Sequence, residues 1–527
     1  MKNLLFLGLV FGLFISITSL EAIKKVSAEG KGEVQTGTKG EVRNPSLIKH
    51  NSTVKTPEAE PREIQENLKG TLREIILDSF ERDPSKAGAG IAYAIETPDL
   101  KSVSVEFSGT KASEKFRNAD IEVEGGWNRN GSFTVKKVIS VVPQNIESVV
   151  RSEIETLDAN GAPTKSSLLG PEATTGAYTV LVIPVNFTDV TSQPVTVAQI
   201  RDVLYGSSSS INSQFKEMSQ GRFYLTGIQR PDIDILDWVT LPHTSDNCPS
   251  NMLGTWANEA RVLARAQGFE PNNYRSVVLI FPSNIPSCNG WGGQGAIGTL
   301  GSTIGSNNVW IQYEAGLDLK FLRSMLMHEM GHNLGLMHSS LVKHCQESAL
   351  IPQDCQSIEY GDHFSPMGNT VFFLRNYNNF HLEQLGWLGA GAKVTNLPQA
   401  GTYNLNLFSP SFIKGSQVVS IPLKNSNGVP TGQSVYLEFR RQTPPFDMFT
   451  GDFFQNVTRG VSVRFAPSSL TAQTNTYLLD YTETTEPIDD AAIEVGQTYV
   501  NSTYGFSIRT NSINPGRGAS ITIQLTR

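Results

Sequence analysis

Residues 328–338 read HEMGHNLGLMH, and no other stretch constrains the chain as strongly. Histidines four residues apart on a helix project from one face, about 6 Å apart along the axis, so both imidazoles reach a single cation. Gly335 can take a left-handed conformation that ends the helix and turns the chain, which brings His338 back as a third ligand. Three neutral imidazoles on a tetrahedral ion leave one position open, and zinc held in this way lowers the pKa of a bound water to about 7. Glu329, beside the first ligand His328, is placed to take a proton from that water and later to give one to a leaving amine. His332 completes the ligand set. Leu317, Phe321, Leu322, Met325 and Leu326 supply an apolar face that buries the helix against a sheet. Chance alignment of histidines on an amphipathic helix is the bland alternative, and the fixed offsets in a chain with eight histidines argue against it. A purely structural ion or an inactive enzyme is a subtler one, but an intact Glu329 contributes little to a structural site.

The pattern around the motif alternates. A strand TVLVIPVNF from residue 179, a helix over 197–205, a strand RFYLTG, a helix over 252–267, a buried strand SVVLIF and a strand VWIQY at 309–313 precede the histidine helix. This is an α/β (α+β) order with a mixed sheet and an active-site helix, expected over residues 171–390. After Trp387 the helical signal ends, and SVYLEFR, GVSVRFA and ASITIQL imply a C-terminal β-sandwich over 391–527. Fourteen of the 21 lysines lie between Lys24 and Lys165, which marks residues 23–170 as a separate N-terminal α+β domain. In it, Pro61 followed by Ile64, Leu68, Leu72, Ile75, Ile76 and Phe80 predicts a helix ending at Asp83-Pro84. Val103, Val105, Phe107 and Phe133, Val135, Val138 predict a small antiparallel sheet. Residues 158–177, rich in small and polar side chains, read as an exposed connection open to cleavage.

Further stretches flank the motif: TVLVIPVNFTD, FKEMSQGRFYLTG, EYGDHFSPMGN from Glu359 to Asn369, and FHLEQLGWL from Phe380 to Leu388. With HExxHxxGxxH and a downstream Ser365-Pro366-Met367-Gly368, these resemble the gametolysin family of metzincin zinc peptidases, well over residues 178–390 and weakly beyond. The resemblance implies a metzincin-like catalytic domain, zinc ligands at His328, His332 and His338, a general base at Glu329, and a structural Met-turn at Met367 forming a hydrophobic floor beneath one zinc ion. It implies a zinc metalloendopeptidase acting on extracellular polypeptides. Two departures stand out. Asn369 occupies the position where some metzincins carry an auxiliary tyrosine, which excludes that ligand. No cysteine precedes Cys248, so a propeptide thiolate cannot block the zinc, and latency must be steric or use another ligand. A zinc-binding adhesin without turnover and a zinc amidase on a non-peptide substrate are the alternatives.

The remaining features bound the setting. Met1, Lys2 and the apolar run from Leu4 to Ile17, followed by Ala22, have the layout of a signal peptide over residues 1–22, with a retained anchor as the alternative. An exported protein, with no membrane contact after signal cleavage, is expected. A formal charge of −7 with no basic stripe speaks against nucleic acid. A monomer is expected. The even cysteine count in an exported chain predicts disulfides Cys248–Cys288 and Cys345–Cys355, although three pairings are possible and the absence of CxxC spacing disfavours a cysteine zinc site. Removal of residues 23–170 as a propeptide is expected, against a permanent accessory domain. Asp480, Asp489 and Asp490 offer oxygen ligands to calcium but lack a DxDxDG loop and read as a solvated face. His50, His344, His363 and His381 carry less weight than the motif histidines, and Asn51, Asn130, Asn186, Asn456 and Asn501 lie in Asn-x-Ser/Thr sequons.

Overall fold

In the computed structural model, residues 65–527 are described apart from short internal stretches, among them 80–88, 158–162, 171–173, 247–251, 346–354 and 482–490. The signal peptide, His50 and Asn51 therefore lie outside the described residues, as do Asn130, Asp489 and Asp490. The chain folds as mixed α+β, mostly strands in two sheets with few helices. Among the described residues no helix is long and apolar enough to cross a membrane.

The helix expected from Pro61 onwards is instead a strand, β1 (Glu66–Asp78). Its even-numbered positions from Leu68 to Asp78 are all buried, the period-2 pattern of a strand. Leu68, Leu72 and Ile76 are spaced by four, which fits one face of a helix and one face of a strand equally well. The alternation is disguised because Glu74 and Asp78 fill two of the buried positions. Next come β2 (Ala89–Glu96), β3 (Ser102–Phe107), β4 (Asp120–Trp127) and β5 (Phe133–Val142). The pairings β1–β2, β2–β3, β3–β5, β5–β4 and β4–β1 close a five-stranded barrel around Leu72, Ile95, Ile121, Val123 and Phe133. Gly70 sits where β1 passes from one neighbour to the other, and a Cβ there would lie 2.1 Å from the Glu96 carbonyl oxygen. The connection expected over 158–177 is also corrected. β6 (Val149–Leu157) and β7 (Pro163–Gly170) form an antiparallel hairpin, so ladder pairing takes up residues 163–170 of a stretch whose composition reads as loop.

The central region contains the strands and helices that the sequence pattern predicts, and adds a helix at Ile211–Ser219 and short strands at Asp234–Ile235, Val239–Thr240 and Gly293–Ala296, which it does not. β8 (Gly176–Asn186) lies parallel to short β9 (Phe223–Thr226), β10 (Asp234–Ile235) and β11 (Val239–Thr240), and to β12 (Ser276–Pro282). β13 (Gly293–Ala296) runs antiparallel to β14 (Asn307–Tyr313), which is parallel to β12. The helices are α1 (Val197–Arg201), continued by a π-helical turn to Gly206, α2 (Ile211–Ser219), α3 (Met252–Ala266) and α4 (Leu319–Asn333). Alternate strand residues serve the two faces. Val180, Val182, Val278 and Ile280 meet Met325, Leu326 and Met330 of α4, while Leu181, Ile183, Leu279 and Trp310 meet Trp256 and Ala260 of α3. The outer edge of β13 pairs antiparallel with β1, so barrel and central strands form one sheet.

The second sheet begins directly after the histidine motif with β15 (Ser339–Lys343) and β16 (Gln356–Ile358), which the Cys345–Cys355 disulfide spans. Helix α5 (Asn379–Gln384) follows, then β17 (Gly391–Asn396), β18 (Gly401–Phe408), β19 (Lys414–Lys424), β20 (Pro430–Glu438), β21 (Gly460–Pro467), β22 (Thr476–Leu479), β23 (Ile493–Glu494), β24 (Thr498–Asn501), β25 (Phe506–Asn514) and β26 (Gly518–Leu525). Among the described residues, the runs β16-β15-β22-β21-β20-β19 and β18-β26-β25-β24 join only through Leu407 and Ser416. Their apolar faces, including Val419, Val435 and Val463 on one run and Tyr403, Ile508 and Ile521 on the other, share one core. β15 enters this sheet beside β22, and β6 enters it beside β17.

Candidate metal centre

Helix α4 starts at Asp318, whose side chain accepts a hydrogen bond from the Lys320 backbone N–H, and is buried throughout from Leu322 to Asn333. Gly335, at φ +92°, ends it as expected. The Gly335 N–H donates to the His332 carbonyl at 2.8 Å and the Leu336 N–H to the Gly331 carbonyl at 3.0 Å, and the chain reverses. His338 then faces the helix, with its ring 5.3 Å from that of His328 and 5.0 Å from that of His332.

Each Nδ1 is engaged on the outer side. The partners are the Pro366 carbonyl for His328 at 2.7 Å, the Leu336 carbonyl for His332 at 2.9 Å, and a Glu359 carboxylate oxygen for His338 at 2.9 Å. These bonds fix the tautomers and aim every Nε2 inward, the usual outer support of a metal-binding histidine. Opposite stands Asp78, the last residue of β1 and fully buried. Its Oδ1 lies 3.0 Å from Nε2 of His338, and its Oδ2 3.3 Å from that of His332 and 3.5 Å from that of His328. The ligand atoms of these four residues all fall within 4.8 Å of one another, a buried Asp/His₃ group able to hold a metal ion. Nε2 of His332 and of His338 faces the Asp78 carboxylate, the position expected of an atom that would hold a cation.

The local electrostatics fit a cation too. Burial opposes ionisation of Asp78, but His338 and His328 hold its carboxyl well below the ordinary range. Burial lowers His338, yet Asp78 and Glu359 outweigh it and raise the imidazole to about 9, whereas burial carries His332 down to about 4 against the pull of Asp78. A proton on His338 balances Asp78, and a divalent cation held by these residues would take the place of that proton.

Glu329 is fully buried beside Asp78, and burial together with the charge of Asp78 raises its pKa well above the ordinary range. It lies against the backbone of β13: a Cβ on Gly293 would stand 2.3 Å from its Oε1, and one on Gly295 2.9 Å from its Oε2. Met367 is fully buried under α4, so close that a Cβ on Gly331 would stand 2.3 Å from its sulfur. The Met367 carbonyl accepts from the Ser339 N–H at 2.7 Å, tying this turn to the residue after the third histidine.

The structure thus gathers His328, His332, His338, Glu329 and Met367 and adds residues that sequence reasoning missed. Asp78 is one. Tyr360 is another: its hydroxyl donates to Asp78 Oδ1, its ring lies 4.4 Å from that of His338, and its backbone sits at φ +57°. A strained non-glycine residue is a pointer to function that φ supplies and sequence does not. Cys345 and Cys355 form the expected disulfide, whereas Cys248 lies outside the described residues and its pairing with Cys288 stays an expectation. His381 is packed, with burial holding its pKa well down, His344 is exposed and His363 is half-buried. Asp480 is buried rather than on a solvated face, because its N–H joins the Val342 carbonyl where β22 ends against β15. Of the sequon residues, Asn186 and Asn501 are buried.

No protein-family model and no curated protein matches the chain. Two solved structures of wild-type OgpA from Akkermansia muciniphila are similar at a low level. One, in space group P 21 21 21, has 11% identity over 51% of this chain and 72% of that chain with a TM-score of 0.25. The other, in P 41 21 2, has 10% identity over 64% of this chain and 89% of that chain with a TM-score of 0.28, and at such scores the likeness identifies neither fold nor activity.

Proposed function

We propose that this chain is a secreted zinc-dependent endopeptidase of the metzincin type, related to the gametolysin peptidases, that hydrolyses peptide bonds of extracellular polypeptides. The observation that carries the reading is the convergence of three buried imidazole Nε2 atoms beside a fully buried glutamate on the helix that carries two of them. Three neutral nitrogen ligands favour zinc over the oxygen-preferring calcium or magnesium. When bound, the ion polarises a carbonyl and acidifies water.

The chain's own residues supply the rest. His328, His332 and His338 hold the ion, each oriented by its Nδ1 partner. Glu329 takes a proton from the attacking water and returns one to the leaving amine, its place beside the first ligand on α4 setting it within reach of that exchange. Met367 fixes the floor under the helical turn between the first two ligands. A monomer acting on polypeptide, without nucleic acid or a bound membrane, belongs to the same reading.

Metal analysis together with digestion of a denatured protein tests it. One zinc per chain and cleavage that a chelator abolishes and added zinc restores are the expected results. Zinc without any cleavage after the N-terminal segment is removed supports the binding-module alternative, and hydrolysis confined to non-peptide amides supports the amidase.

A further inference from the structure

We propose that Asp78 is the residue that keeps this site shut, acting as a fourth ligand at the position a water and a substrate carbonyl would need; the inference rests on the zinc reading above.

Three features carry it. First, a fully buried carboxylate is costly unless a counter-charge faces it, and what faces Asp78 is the set of three ligand nitrogens at 3.0 to 3.5 Å. Second, the carboxylate is aimed. Tyr360 donates to its Oδ1, and the backbone from Glu74 to Asp78 is pinned to the strand that flanks Glu329. Asp78 pairs with Gly293 and Ile75 with Ala296, the Gly292 N–H donates to the Asp78 carbonyl at 2.8 Å, and the Ile297 N–H donates to the Glu74 carbonyl at 2.9 Å. Third, the segment is anchored away from the site as well. Arg117 pairs with Glu74 at 2.8 Å in a buried contact and donates to the Gln473 carbonyl at 2.8 Å, and Asn258 of α3 exchanges two hydrogen bonds with the backbone of Ser102.

A ligand delivered by the end of β1, a barrel strand whose pairing outside the barrel is, among the described residues, with the edge of β13 alone, is well placed for latency. It completes the coordination while β1 is docked and leaves an open position once β1 departs. The missing N-terminal cysteine is thereby answered: a carboxylate from β1 takes the part that a thiolate would have played. Asp78 touches neither substrate nor water in this scheme, so it is a blocking residue and not a catalytic one.

The test uses the full chain carrying Glu329→Gln, so that it cannot cut itself, with and without Asp78→Asn. Both are loaded with zinc, and metal transfer to a chromogenic chelator is timed. Both are also loaded with cobalt(II), and the visible spectrum is recorded with and without azide. The expected result is zinc transfer about tenfold or more faster from Asp78→Asn, the scale on which partners of a metal site act, and a cobalt spectrum that responds to azide in that variant only. Equal transfer rates and equal azide responses at full metal occupancy overturn the blocking role alone. Failure of both proteins to bind metal in a His332-dependent manner overturns the zinc reading and this inference with it. If Asp78→Asn does not fold, Tyr360→Phe leaves β1 and the carboxylate in place and removes only the bond that aims it; faster transfer supports the role and an unchanged rate overturns it.

Discussion

Arg464 of β21 donates to Asp362 at 2.6 Å in a fully buried ion pair, and the Ser339 hydroxyl, beside the third histidine, bonds to both partners at 2.7 Å. This couples the C-terminal sheet to the turn that places His338. Removing one partner of such a pair strands the other charge, which costs about 3–5 kcal/mol. Arg464→Met is expected to lower unfolding stability by that amount in a denaturant titration. A loss below about 1 kcal/mol, the value of an exposed pair, shows that the contact does not bear on stability.

Gly331 has no room for a methyl group: a Cβ would stand 2.3 Å from the Met367 sulfur and 3.0 Å from the Tyr377 hydroxyl. Gly331→Ala is expected to destabilise by about 1–3 kcal/mol through overpacking. Because the clash is with Met367, Gly331→Ala combined with Met367→Ala should cost less than the two single changes added together. Thermal unfolding of the four proteins measures this, and strict additivity counts against the contact.

Glu329→Gln preserves shape and leaves the three imidazoles untouched. In the Asp78→Asn background, peptide hydrolysis is expected to fall by about 10²- to 10⁴-fold, the range of general-base contributions, while zinc content stays the same. Retention of more than about a tenth of the rate removes Glu329 from the role of base.

Glu217 of α2 has its carboxyl pushed up to about 7 by burial and by the charge of Asp447, with the Asn376 amide donating to it at 2.8 Å. The unfolded chain releases this proton near 4.5 and the folded chain keeps it to about 7, so stability falls as pH rises through that window and levels off above it. Glu217→Gln is expected to raise stability at pH 8 by on the order of 1–3 kcal/mol and to make little difference below pH 4. Unfolding curves at the two pH values give the sign, and an equal effect at both rules out the titration.

The sequence was most legible where one element carried both fold and chemistry. The helix with His328, His332 and Glu329, the turn at Gly335, and Met367 beneath Gly331 all stand where spacing and resemblance put them. The strands β8, β12 and β14 were readable because each is a largely apolar run, whereas β13, with the sequence GQGA, carries no such pattern. β1 was misread because a four-residue spacing of leucine and isoleucine satisfies both periods, and because the charges that break its alternation, Glu74 and Asp78, are buried against Arg117 and the histidines. Their burial depends on partners 43 and 250 or more residues away, which no local pattern encodes. Tyr360 was invisible for the same reason, since its partner Asp78 lies 282 residues earlier.

The hairpin of β6 and β7 bears on what a protease cut would achieve. β6 is laddered to β17 in the C-terminal sheet and to β7, while β1 is laddered to β13 beside Glu329. Hydrolysis of the backbone between Leu157 and Pro163 therefore severs connectivity without severing association: the amino-terminal fragment keeps strands in both sheets. Such a nicked molecule would migrate as one species under native conditions and as two in denaturant, so a band shift on a denaturing gel would report the cut and not the departure of the fragment. Under the latency proposed above, cleavage and activation are separate events with separate clocks, activation being governed by how fast two β-ladders peel apart.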